Sequence, residues 1–194
     1  GYYYGIANEG LWPLCHVVYT RPQFNPQHWE QYRRVNQKFA DAVLQEVGSE
    51  DAVVFVQDYH FALLPRMLKQ ARPDLVVIHF WHIPWPNSEF FGICPWSTEI
   101  LNGMLGASIL GFHTQFHCNN FIEATDRFME SRIDRERASV TTSGTETLIR
   151  AYPISIEWPP AALASQAPVE QCRQAVRERF SLPPDRTGDL VVVS

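Results

Sequence analysis

Two apolar runs with a helix-length segment between them constrain this chain most. Val53-Val54-Phe55-Val56 and Leu75-Val76-Val77-Ile78 lack polar alternation and read as buried strands. The stretch from about Phe61 to Ala71 fits one helix. Such a strand–helix–strand unit lays its strands parallel, because a crossover helix brings the chain back in the same direction. The first run leads into Gln57-Asp58-Tyr59-His60, and the second into Trp81-His82-Ile83-Pro84-Trp85-Pro86. Both polar clusters fall at strand carboxyl ends, where open parallel sheets bind ligands.

The alternation continues on both sides. Trp29, Tyr32, Val35, Phe39, Val43 and Val47 recur at steps of three and four, which predicts a helix over 27–47 with Gly48 as its stop. The pattern predicts strands at 51–57, 75–81, 108–112 and 148–152. It predicts further helices from about Ser97, with Ser97 or Thr98 as N-cap, to Leu105, and from Gln115 to Met129. Residues 1–24 read as irregular, and 84–96, with Pro84, Pro86, Pro95 and Gly92, as a rigid loop. Residues 130–145 are polar and read as a loop or a short helix. A Pro/Ala/Ser-rich connector at 157–168 precedes a charged helix from Val169 to Phe180 and a β-branched strand at 189–194. Alternating strands and helices indicate an α/β fold with a parallel sheet.

The 194 residues suit one domain or a domain plus part of another. A net charge of −5 gives no basic face for nucleic acid. No apolar run is long enough to span a membrane, and no signal-peptide pattern is visible. The chain opens at Gly1 and its last strand has no following helix, so a piece of a larger protein is expected. Cys15, Cys94, Cys118 and Cys172 form no C-x-x-C pair and no zinc spacing, and read as small buried or half-buried thiols.

Asp58 has two readings: a helix-capping carboxylate, or a group that holds sugar hydroxyls at the sheet edge. His82 reads as a satisfied core histidine or as a functional one held by the rigid Pro84-Trp85-Pro86 turn. Tyr2, Tyr3, Tyr4, Trp12 and Trp85 offer flat faces that suit either sugar rings or core packing. His113-Thr114 fits a phosphate contact or a plain strand-to-helix turn. Glycine-rich phosphate loops and nucleophile elbows are absent from the sequence.

Six stretches occur in order: Tyr3 to Pro13, Gln57-Asp58-Tyr59-His60, His82-Ile83-Pro84-Trp85-Pro86, Glu99-Ile100-Leu101 with Gly103 to Gly106, Gly111-Phe112-His113-Thr114, and Tyr152-Pro153-Ile154. Together they resemble the trehalose-6-phosphate synthases, a family of retaining nucleotide-sugar glucosyltransferases. The chain departs from the usual family pattern at Trp81, Trp85, Ser97 and Ser155. The resemblance implies the N-terminal, acceptor-side Rossmann-like domain of a two-domain GT-B enzyme. It assigns 1–157 to most of that domain, 158–187 to a connector and helix, and 188–194 to the first strand of the donor-binding domain.

The resemblance further implies transfer of glucose from UDP-glucose to glucose 6-phosphate with retention of configuration. Tyr3 and Asp58 match acceptor-binding positions. Trp12 and Ile83 match positions that set anomer selectivity, and His82 the residue that contacts the transferred glucosyl unit. Asp58 and His82 are thus the expected catalytic residues. No cofactor or metal is implied, with UDP-glucose entering as donor substrate. The expected partners are a sugar phosphate and a nucleotide sugar, without nucleic acid or membrane, in a cytoplasmic protein that is open to homo-oligomer formation. The alternatives are a synthase that uses glycerol 3-phosphate and a non-catalytic sugar-phosphate sensor.

Overall fold

A computed structural model describes residues 1–49 and 51–181. Its opening segment is helical, against the expectation of irregular chain. Tyr2–Leu11 winds wide, with the Ile6 N–H donating to the Gly1 carbonyl at 3.0 Å, and runs into α1 (Trp12–His16). Pro13 sits in the first turn of α1, where its missing N–H leaves no bond unmade. Ile6, Ala7, Leu11, Leu14 and Cys15 face the core, and Tyr3, Tyr4 and Trp12 face outward. Burial of one face explains the helix that the aromatic composition concealed.

α2 (Pro26–Val47) starts where the Asn25 side chain accepts from the Gln27 N–H at 2.8 Å. Its buried line is Trp29, Tyr32, Asn36 and Ala40, while Phe39 stays 46% exposed. The stripe expected through Val35 and Phe39 therefore turns toward a polar residue. Asn36 repays its burial with four bonds. Its amide donates to the Tyr32 and His60 carbonyls, and its Oδ1 accepts from the Leu63 and Leu64 N–H groups.

β1 (Val53–Gln57) leads to a 3₁₀ turn (Tyr59–Phe61) and α3 (Leu64–Ala71), so the helix predicted over 61–71 begins three residues late. β2 (Val76–Phe80) follows. The proline-rich stretch holds one short helix, α4 (Ser88–Phe91), capped by Asn87. In α5 (Ser97–Met104) the N-cap is Trp96 rather than Ser97 or Thr98, with no side-chain cap bond. α5 is anchored instead by Glu99, which takes the Arg33 Nε–H at 2.7 Å and the Trp29 indole N–H at 3.2 Å. After Met104 the chain passes so close to α3 that a Cβ on Gly106 would lie 2.2 Å from the Arg66 backbone nitrogen.

β3 (Ile109–Phe112) and α6 (Gln115–Phe128) form as predicted, with Thr114 capping α6 through the His117 N–H. The polar stretch at 130–145 is neither loop nor short helix. It supplies β4 (Arg132–Asp134) and β5 (Ser139–Thr142), which pair antiparallel with each other and with β6 (Thr145–Ala151). β5 lies between β4 and β6 with Ser139, Val140 and Thr142 buried, and its hydroxyls are satisfied by Glu146 and Arg66, so a run without an apolar core pattern can join the sheet. Ser143 and Gly144 close the β5–β6 hairpin at φ 50° and 79°, the left-handed pair such a tight turn needs.

The six strands run β1-β2-β3-β6-β5-β4, with β1, β2, β3 and β6 parallel. The expected α/β fold holds, with an antiparallel extension. Val56, Val77 and Leu75 pack with Ala40, Leu64 and Leu68 of α2 and α3. Leu110, Phe112 and Ile149 join Trp81, Trp85 and Phe121 in the main core. On the opposite face, Phe55, Ile78, Ile109 and Leu148 lie in register as one apolar row. Phe55 there is 61% exposed and its neighbour Val53 64%.

The chain divides into two compact units, Gly1–Ile154 and the rest from Ser155 on. The second contains a 3₁₀ turn (Ala161–Ser165) and α7 (Val169–Arg179), a helix with no buried residue. The strand expected at 189–194 lies outside the described residues.

Candidate functional site

The site is built on the connection from β1. Asp58 follows the last residue of that strand with φ 69° and ψ 176°, backbone that favours glycine and strains an L side chain. Its N–H donates to the Phe80 carbonyl at 2.7 Å, and its carbonyl accepts from His79 Nε2 at 3.1 Å. Asp58 Oδ1 takes the Tyr59 N–H at 2.9 Å and the His82 N–H at 3.1 Å. The capping reading of Asp58 holds. One oxygen caps the turn and ties β1 to the end of β2. Oδ2 makes no hydrogen bond among the described residues and is free to accept one.

The structure brings Asp58 and His82 together directly. His82 is exposed, and its Nε2 meets Gln57 Oε1 at 2.6 Å. An amide oxygen only accepts, so Nε2 carries a proton, and in the neutral ring Nδ1 is the acceptor. Gln57 and Asp58 hold the His82 ring and backbone from consecutive positions. The His113 ring lies 5.7 Å from that of His82, and the Phe80 ring touches both, at 5.0 and 4.6 Å. Tyr152 crowds Gly111 beneath them, where a Cβ would stand 2.8 Å from the Phe80 ring and 2.9 Å from the Tyr152 ring.

Tyr3 joins this edge through a neighbour. Its ring, 49% exposed, stacks on His60 at 5.3 Å. The Tyr59–Phe61 turn is in turn clamped to the first helix and to α2. Tyr2 Oη donates to the His60 carbonyl, Tyr59 Oη donates to Asn8 Oδ1 at 2.9 Å, and Tyr32 bridges the Tyr59 carbonyl and the Ala62 N–H. Trp12 is 40% exposed and stacks on His16 at 4.1 Å, with no contact to Asp58 or His82. Ile83 is the least accessible of the expected set, 9% exposed and part of the main core.

Sequence patterns alone passed over Gln57, Asn36, Tyr32 and His79 as supports. Gln57 was the most legible of them, as a polar residue ending a buried strand.

Electrostatically the floor of the site is apolar. Burial pushes the Tyr59 phenol up to about 12, with the Asp58 charge adding to it, so Tyr59 stays a neutral donor. The Cys15 thiol is raised by burial and then by Cys94 and Asp58, which places α1 within reach of the Asp58 charge. Cys15, Cys94 and Cys118 are buried, and Cys172 is half-buried. No cluster of His, Cys, Asp or Glu among the described residues has the makings of a metal site. No helix among them is long and apolar enough to cross a membrane. A carboxylate oxygen, an imidazole acceptor and exposed aromatic faces at one sheet edge can grip a polyhydroxylated ligand by its hydroxyls and its C–H faces.

Residues 1–183 match the sequence family described as Glycosyltransferase family 20. A trehalose-6-phosphate synthase of Mycolicibacterium gilvum is 38% identical over 184 residues, 91% of this chain and 36% of that protein. An alpha,alpha-trehalose-phosphate synthase (UDP-forming) of Burkholderia xenovorans, solved in complex with glucose 6-phosphate, is 25% identical with a TM-score of 0.79. That match covers 91% of this chain and 41% of the solved one. An E. coli structure bound with UDP-2-fluoro glucose is 26% identical with a TM-score of 0.79, over 93% of this chain and 40% of its own. The chain spans little more than a third of the length of these relatives. Its mostly parallel sheet is that of the N-terminal domain of a GT-B glycosyltransferase. It belongs to glycosyltransferase family 20.

Proposed function

We propose that this chain is the acceptor-side part of a longer enzyme that transfers glucose from UDP-glucose to glucose 6-phosphate, giving trehalose 6-phosphate and UDP. The observation that carries this is the Asp58–His82 pair, held by one hydrogen bond at the carboxyl ends of adjacent strands in a family 20 chain. Asp58 Oδ2 orients acceptor hydroxyls, and Tyr3 lines the same binding site. His82 Nδ1 accepts from a hydroxyl of the transferred glucose. Trp12 and Ile83 shape the acceptor side and so the anomer selected. The bond from glucose C1 to the UDP phosphate oxygen breaks, and the acceptor oxygen attaches to C1 on the same face. The acceptor's proton passes to the departing phosphate. Catalysis rests on positioning and electrostatics, and no metal or cofactor takes part.

Residues 188–194 begin the donor-binding domain in this reading, and 1–157 form most of the acceptor domain. The enzyme works in the cytoplasm, with association into a homo-oligomer open to light scattering. The names of the relatives favour glucose 6-phosphate over glycerol 3-phosphate, and synthesis over sensing. The test supplies the full-length protein with UDP-glucose and either acceptor. Trehalose 6-phosphate should form, should persist in EDTA, and should fall about 100-fold in D58N or H82A. The 194-residue chain alone should show no turnover. Product from glycerol 3-phosphate but not from glucose 6-phosphate would overturn the acceptor. No product with either would overturn the enzyme.

A further inference from the structure

His79 is an unusual occupant of its position. It lies on β2 with its ring fully buried, on the face that carries Val77 into the core beneath α3. Buried parallel strands are normally apolar there. Its Nε2 faces the Asp58 carbonyl at 3.1 Å. A carbonyl only accepts, so Nε2 carries the proton and Nδ1 is a bare lone pair. That Nδ1 is buried with no partner. A stranded polar atom of this kind costs about 1–3 kcal/mol. An apolar side chain of similar size would avoid the cost, so core packing does not explain the histidine.

The gain lies one strand away. Asp58 holds backbone that an L residue rarely adopts, and such strain persists only where neighbours over-determine it. Of its five hydrogen bonds, three come from the end of β2: the Phe80 carbonyl, the His82 N–H and the His79 ring. The other two are local: the Tyr59 N–H donates to Oδ1 and the Phe61 N–H to the carbonyl, at 3.3 Å. The first two also come from residues near the crevice, and of the two donors to the Asp58 carbonyl only His79 reaches it from outside the turn, from inside the core. It therefore fixes the peptide leaving Asp58, and with it the direction of the carboxylate and the spacing to His82.

We propose that His79 is a positioning residue, whose Nε2–H bond to the Asp58 carbonyl locks the strained turn that aims the Asp58 carboxylate at the acceptor. The aim toward an acceptor rests on the function proposed above; the lock itself does not.

The test uses the full-length protein with H79F and H79Q. H79F removes the donor and fills the core, and H79Q keeps a side-chain N–H of similar reach. H79F should lower kcat/KM for glucose 6-phosphate by about 10- to 100-fold while KM for UDP-glucose changes far less. Its thermal midpoint should stay level or rise, and H79Q should recover most of the loss. Unchanged kinetics in H79F, or a fall in thermal midpoint without a kinetic effect, would overturn the proposal. H79L serves in its place if phenylalanine crowds the core. A crystal structure of the variant reads the lock directly: Asp58 should leave the left-handed region. Asp58 unmoved at its present φ would sink the lock, whatever the activity. If the unsubstituted protein makes no trehalose 6-phosphate, the functional reading falls and that crystal structure alone decides the role of His79.

Discussion

At Asp58 the backbone and the side chain pull in opposite directions. The carboxylate caps the turn and accepts from His82, yet the φ of 69° suits glycine. Two substitutions separate these effects. D58A keeps the strain and loses both bonds, whereas D58G loses the bonds and the strain together. D58G should therefore melt higher than D58A, by a margin equivalent to about 1–2 kcal/mol, while both abolish most transfer activity. Equal midpoints would mean that the turn carries no strain. Asp58 and His82 were legible as residues because each ends an apolar run. His79 was not, because a histidine inside such a run gains its meaning from a carbonyl 21 positions away in sequence.

At the scale of elements, α2 does more than bury a stripe. Tyr32 and Asn36 satisfy the backbone of residues 59–64, which has left β1 and not yet become α3. The helix that precedes the sheet thus sets the turn that carries the site. N36L keeps the size and removes the bonds, stranding the Leu63 and Leu64 N–H groups. It should destabilise the protein by about 3 kcal/mol, read as a lower thermal midpoint, and should weaken activity through the same turn. A stable, fully active N36L would contradict that linkage. Periodicity found the helix but pointed its stripe through Val35 and Phe39, since a pattern search scores asparagine as solvent-facing. The β4–β5 hairpin escaped for a related reason. β4 is only three residues long, and β5 buries bonded hydroxyls rather than an apolar run, so neither shows an apolar core pattern.

For the molecule as a whole, burial of histidines contributes to the response to acid. Burial pushes His79 down to about 4 from an ordinary value of 6.5. The unfolded chain then binds a proton between those values that the folded chain refuses, so stability falls as pH drops through that window. His60 and His117 are lowered by burial in the same direction. Between pH 7 and pH 4.5 the unsubstituted protein should lose about 2 kcal/mol more stability than H79F, by denaturant titration at both pH values. Identical losses would show that His79 is not the neutral buried group described. The sheet itself was legible in its four parallel strands, because buried β-branched runs announce themselves. Its sixfold extent was not.

That extension has a practical side. The Ser143–Gly144 turn joins the end of β5 to the start of β6, and so lies at the opposite end of β6 from the edge that bears Asp58 and His82. Both turn residues are exposed and already adopt left-handed backbone. A reporter domain or a fluorophore spliced in between them would travel with the protein while leaving the edge that bears Asp58 and His82 untouched, giving a handle for following the protein in cells.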